Sequence, residues 1–148
     1  MTRTQFIFVT LIVAPCCLLQ TPAAATEGFD GKWTGTINCA KLSFTKGPFK
    51  VPMDMTVEKG TATYVRDVYN KDGTQVVGTE EGTGTIGDGG KLTLTGTWKS
   101  TIERPRYSYT ASYEGTVSAK SANLKGTQVW KSVDGKSENR ACTIALKR

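Results

Sequence analysis

From residue 32 onward the chain alternates between apolar and polar residues almost without interruption, and glycine, Asp-Gly and Lys-Gly turns punctuate the alternation. A period of two places successive side chains on opposite faces of an extended strand, whereas no stretch here repeats at the three-to-four spacing of a helix. The pattern predicts eight strands, at about 32–39, 49–58, 61–69, 75–86, 91–99, 107–117, 123–130 and 139–147. Four are especially regular. Trp33, Gly35, Ile37 and Cys39 share one face of the first; Phe49, Val51, Met53, Met55 and Val57 one face of the second. Leu92, Leu94, Gly96 and Trp98 share a face of the fifth, and Tyr107, Tyr109, Ala111, Tyr113, Gly115 and Val117 a face of the sixth.

The glycines separate a barrel from a two-sheet sandwich. Gly35, Gly78, Gly82, Gly84, Gly96, Gly115 and Gly126 all fall on the apolar register. Glycine on an inner face lets a strand bend around a closed core and leaves room for an opposing aromatic. Short turns in succession suggest an up-and-down meander, and with an even strand number the first and last strands can pair and remove the exposed edges. Cys39 and Cys142 both point inward at one end of that seam, so they are expected to be bonded. The fold expected is an all-β, eight-stranded antiparallel up-and-down barrel closed by one disulfide.

The first 25 residues follow another rule. Arg3 precedes an apolar run at 6–19, broken only by Thr10 and Pro15, and Ala23-Ala24-Ala25 offers small residues for a peptidase. This is the pattern of a signal peptide cleaved before Thr26, leaving a single domain at 26–148. The run is too short to cross a bilayer comfortably, so no transmembrane segment is expected. Cys16 and Cys17 raise a lipoprotein alternative, which Pro15 disfavours because a small residue should precede the acylated cysteine. Export places the domain in the periplasm or outside the cell, where two remaining cysteines pair. No Asn-x-Ser/Thr acceptor occurs, which fits a bacterial source.

Removal of Arg3 leaves 18 basic against 13 acidic residues, a net charge of +5. These charges are interspersed, as on a solvated surface. Anionic partners such as a membrane surface or acidic glycan are a sharper alternative. No basic stripe suggests nucleic acid.

Missing residue types narrow the chemistry most. The chain has no histidine, which removes Ser-His-Asp and Cys-His catalysis and the usual zinc, copper and non-haem iron sites. Glu80 and Glu81 are adjacent and face opposite sides of a strand, so they cannot act as one glycosidase pair. Gly87-Asp88-Gly89-Gly90 lies between strands and reads as a hairpin turn, not a phosphate loop. The expectation is a protein that is not an enzyme and needs no cofactor or metal.

The inward register also carries polar residues: Tyr64, Arg66, Glu80, Gln128 and Arg140. If the first strand runs toward a mouth, the longer connections at 40–48, 70–73, 100–106 and 131–138 gather there. Trp98, Tyr107, Trp130 and Arg140 then lie near that end, while Trp33, Val57, Ile86, Leu92, Val117, Leu124 and Leu146 fill the other. A packed base and a polar, aromatic mouth suit a small ligand. Arg66, Arg140, Tyr107, Trp98, Trp130, Gln128 and Glu80 are the candidate contacts. Two inward arginines favour a carboxylate, phosphate or sulfate head on an aromatic or apolar body. The competing reading makes Arg66 and Glu80 an internal ion pair with no ligand.

Gly31-Lys32-Trp33 at the start of the first strand resembles the Gly-x-Trp signature of lipocalins and related calycin barrels, a group that includes avidins and small bacterial protease inhibitors. The resemblance implies that Trp33 closes the base, that Lys147 or Arg148 packs near it, and that the far loops guard a cavity. It covers three residues and the architecture. Two functions follow as expectations: an exported binder of a small anionic or aromatic molecule, or an exported protein-interaction module, such as an enzyme inhibitor. The second would use loops 40–48, 100–106 and 131–138, with Ile102, Arg104 and Arg106 as its best patch.

Overall fold

The computed structural model describes residues 27–148; the segment read as a signal peptide lies outside the described residues. After a 3-10 turn at Glu27–Phe29 come eight strands, with a second such turn at Asp88–Gly90 between the fourth and fifth: β1 (Gly31–Cys39), β2 (Phe49–Glu58), β3 (Thr61–Tyr69), β4 (Val76–Ile86), β5 (Lys91–Ser100), β6 (Tyr107–Val117), β7 (Ser121–Ser132) and β8 (Ser137–Lys147). Each pairs antiparallel with the next, and β1 pairs with β8, so the sheet closes into a barrel. Cys39 lies opposite Cys142 on that seam and the two are bonded. No described helix is long and apolar enough to cross a membrane.

The strands form where the alternation placed them, because one face of each can be buried only by curling the sheet on itself. The inward residues Ile37, Met53, Met55, Ala62, Leu94, Tyr113 and Ile144 make one core. Between them stand outward threonines, lysines and glutamates, the composition of a water-facing wall. β7 and β8 extend beyond the apolar positions that announce them. Their ladder continues from Ser121 opposite Lys147 to Lys131 opposite Ser137, and the Ser132 amide donates to the Lys136 carbonyl at 2.9 Å to close the turn. Polar ends of a strand carry ladder hydrogen bonds as well as apolar ones do, but no hydrophobic period reveals them.

The two ends of the barrel differ. At the base, Lys59-Gly60 joins β2 to β3 in two residues with φ of 49° and 76°, the left-handed pair that a tight hairpin turn requires. Trp33 is fully buried there, and its indole N–H donates to the Phe29 carbonyl at 3.0 Å. Arg148 reaches the same end and donates to the Gly28 carbonyl at 2.6 Å, whereas Lys147 stays exposed. Val57, Leu92, Val117, Leu124 and Leu146 complete a dry plug. The connections at the other end are longer, and the one at 40–48 folds back over the opening. Leu42 is buried, and Ser43 donates from its amide and hydroxyl to the Glu138 carboxylate at 2.8 and 2.7 Å.

Candidate functional site

Register brings the polar inward residues together. Arg66 on β3 lies opposite Glu80 on β4, which lies opposite Trp98 on β5. Across the lumen, Gln128 on β7 lies between Ala111 on β6 and Arg140 on β8. One row therefore carries a carboxylate flanked by a guanidinium, and the facing row carries an amide beside a second guanidinium.

Glu80 has no solvent exposure, and five donors converge on it. Its Oε1 accepts from Tyr64 at 2.6 Å and Tyr113 at 2.9 Å. Its Oε2 accepts from Tyr109 at 2.6 Å, from Gln128 at 3.0 Å, and from Arg66 in an ion pair. A carboxylate with two oxygens and only acceptor sites is the group that satisfies such a set. Gln128 also donates to Tyr113 at 3.0 Å and accepts the Trp130 indole N–H at 3.2 Å, extending the network to the mouth. Tyr64 reaches across because Gly82 and Gly96 lie beneath it: a Cβ at either would collide with its ring or hydroxyl. The inward glycines of β4 and β5 thus make the space in which the Glu80 network assembles.

Burial in the network shifts the titration of its tyrosines and of Arg66. Burial, then the Glu80 charge, pushes the Tyr64 hydroxyl far above the ordinary tyrosine range. Burial does the same to Tyr109 and Tyr113, with Arg66 partly opposing it. For Arg66 burial works against the charge, but Tyr109 and Glu80 outweigh it and the guanidinium stays above its usual value. Arg140 differs: burial, then repulsion from Arg66, lowers it to about 10. It remains charged at neutral pH without an acidic partner among the described residues.

Above this floor a cavity of about 610 Å³ opens toward the long loops. Arg66 and Arg140 stand in its wall with Tyr107, Tyr109, Trp98 and Trp130. Phe44 stacks on Tyr107 with ring centres 4.2 Å apart, and Tyr109 on Trp130 at 4.3 Å, so a continuous aromatic surface runs from rim to floor. Ile37, Val51, Val68 and Val77 form the aliphatic side. Arg140 is fixed by a hydrogen bond from Nε to the Ala40 carbonyl at 2.8 Å, and its guanidinium lies over the Phe49 ring at 4.9 Å. Three buried N–H groups on the cavity residues lack an acceptor: Arg66 Nε, Arg140 Nη2 and Trp98 Nε1. The last is turned against the backbone of Gly78, a packing position. A wider hollow of about 870 Å³ lies on the outer wall beside Asn38, Lys50, Lys125 and Thr143; it is open to solvent and lacks buried charge.

Of the seven candidates, Arg66, Arg140, Tyr107, Trp98 and Trp130 line the cavity together. Glu80 and Gln128 do not. Their polar atoms are engaged by the network, which connects them to the cavity wall through Arg66 and Trp130. The Arg66–Glu80 ion pair of the competing reading is present, and Arg66 nonetheless lines the open cavity beside it. Sequence reasoning placed Tyr109 and Tyr113 inward without assigning them to the site; their offset from Gln128 on the neighbouring strand was the signal. Phe44 and Phe49 give no such signal, because one lies in a loop and the other reads as ordinary core.

No protein-family model matches the chain, and no curated protein or solved structure shows significant similarity to it. The functional reading therefore stands on the geometry of the site.

Proposed function

We propose that this protein is an exported, non-catalytic binder of a small anionic molecule with an aromatic or apolar body. The observation that carries the reading is a mouth cavity walled by aromatics in which Arg140 is buried, charged and without an acidic partner among the described residues. An unmatched buried cation is costly unless an anion is supplied. Several features favour binding over catalysis. The chain has no histidine, both described cysteines are bonded, and both oxygens of the buried Glu80 already accept hydrogen bonds. The shared plan of base tryptophan, closed barrel and guarded mouth supports an architectural likeness to calycins, and the signal-peptide pattern of residues 1–25 supports a periplasmic or secreted location.

Tryptophan emission, followed through a screen of organic anions, tests the reading. Trp98 and Trp130 lie in the wall, so a bound ligand shifts the spectrum, and Arg66→Ala and Arg140→Ala each weaken binding. A screen without any shift, or variants that keep full affinity, would overturn it.

One observation favours a second reading, a protein-interaction module. Ile102 and Val133 are 48% and 74% exposed on the mouth loops, near Arg104 and Arg106, and Val133 donates its amide to the Arg106 carbonyl at 3.0 Å. Capture of a defined exported enzyme by the wild type, lost on replacing Arg104 and Arg106, would favour this use of the rim.

A further inference from the structure

Resting on the ligand-binding reading above, we infer that the lumen selects a monocarboxylate, bound with its charged head down between Arg66 and Arg140 and its apolar body along the aromatic wall. Charge matching sets the valence. The buried part of the site holds two guanidiniums and one carboxylate: Arg66 is paired with Glu80, whereas Arg140 has no such partner among the described residues. One positive charge is unmatched, and one negative charge completes it. A dianion such as a phosphate monoester would bring a second negative charge close to Glu80, whose carboxylate is fully buried and so poorly screened.

Hydrogen-bonding capacity sets the polarity of the head. The unmet groups of the two cavity arginines, Arg66 Nε and Arg140 Nη2, are both donors. The only carboxylate there already accepts from five donors. A ligand head that accepts and does not donate therefore fits, and a planar carboxylate matches the fork of a guanidinium. Direction follows from the gradient of the walls. Arg66 and Arg140 are buried in the cavity wall among its aromatic and aliphatic side chains, whereas the rim cations Lys71, Arg104 and Arg106 are exposed. An exposed cation is screened by water and contributes far less than a buried one. The head consequently goes inward, unlike an amphiphile that keeps its charge in solvent.

Calorimetric titration of the unmodified protein with 2-naphthoate, 2-naphthalenemethanol and 2-naphthyl phosphate tests this, since the three share a ring system and differ in head charge. The acid is expected to bind about tenfold or more tighter than the alcohol, as a charge-assisted hydrogen bond implies, and also tighter than the phosphate. In Arg140→Gln the preference for acid over alcohol disappears, and in Arg140→Lys part of it returns. Equal affinity for acid and alcohol, or tighter binding of the phosphate, would overturn the monocarboxylate assignment and leave small-ligand binding standing. Binding of none of the three would overturn both. The comparison on wild-type protein decides the matter even if an Arg140 variant does not fold.

Discussion

Glu80 is the residue on which the interior turns. It is fully buried, yet its cost of burial is offset by three phenols, an amide and a guanidinium. A buried ion pair of this kind contributes little net stability, but removing one partner strands the other. Glu80→Gln should therefore lower stability by about 3–5 kcal/mol, measured from the urea midpoint; a loss below about 1 kcal/mol, the net worth of a typical hydrogen bond, would mean the network is not formed. The tyrosines give a second outcome. Tyr64, Tyr109 and Tyr113 have hydroxyls raised above their ordinary value of 10.0. The folded state thus keeps protons that the unfolded chain releases, so stability falls as pH rises above about 10. Arg140, lowered to about 10 from 12.5, acts in the opposite direction between those values, but one guanidinium is outweighed by three phenols. Ultraviolet titration should show these three tyrosines ionising only as the protein unfolds; ionisation of all the tyrosines in an intact fold would contradict the burial.

At the scale of strands and turns, two substitutions separate the halves of the barrel. Trp33→Ala removes the largest side chain of the base and should cost about 3–5 kcal/mol, leaving ligand affinity little changed in the fraction that stays folded. Gly82→Val places a side chain where the Tyr64 ring lies and should cost about 1–3 kcal/mol through overpacking, while also displacing a Glu80 donor. These elements also show what the chain discloses before any coordinates. Alternation exposes Ile37, Met53 and Leu94 as inward, and the inward glycines announce closure, because both are local patterns of period two. Arg66, Arg140, Trp98, Tyr107 and Trp130 are legible as mouth residues for the same reason. For Glu80 the sequence leaves two readings open, a ligand contact or an ion pair with Arg66, and for Gln128 it indicates no network role, because whether an inward polar group faces the cavity or its neighbours depends on cross-strand register, which turn lengths set only to within a residue. Phe44 is hidden altogether, since a loop has no period from which to read its side chain's direction.

For the whole molecule, the seam and the mouth are one feature. The Cys39–Cys142 bond joins residues 103 apart in sequence and closes β1 onto β8 beside the cavity, where Arg140 holds the Ala40 carbonyl. Closing a loop of that length is worth about 4–5 kcal/mol at most, so reduction should lower the urea midpoint. It should also weaken ligand binding more than Trp33→Ala does, because it frees the strand that carries Arg140. The three tryptophans divide the barrel, with Trp33 at the base and Trp98 and Trp130 at the mouth, and provide the most direct measurement of all. In a heteronuclear NMR titration with 2-naphthoate, the indole signals of Trp98 and Trp130 and the side-chain signal of Arg140 should move together and saturate, while that of Trp33 stays in place. Mouth signals that remain still, with any shifts confined to Asn38, Lys125 and Thr143 on the outer wall, would contradict a binding lumen.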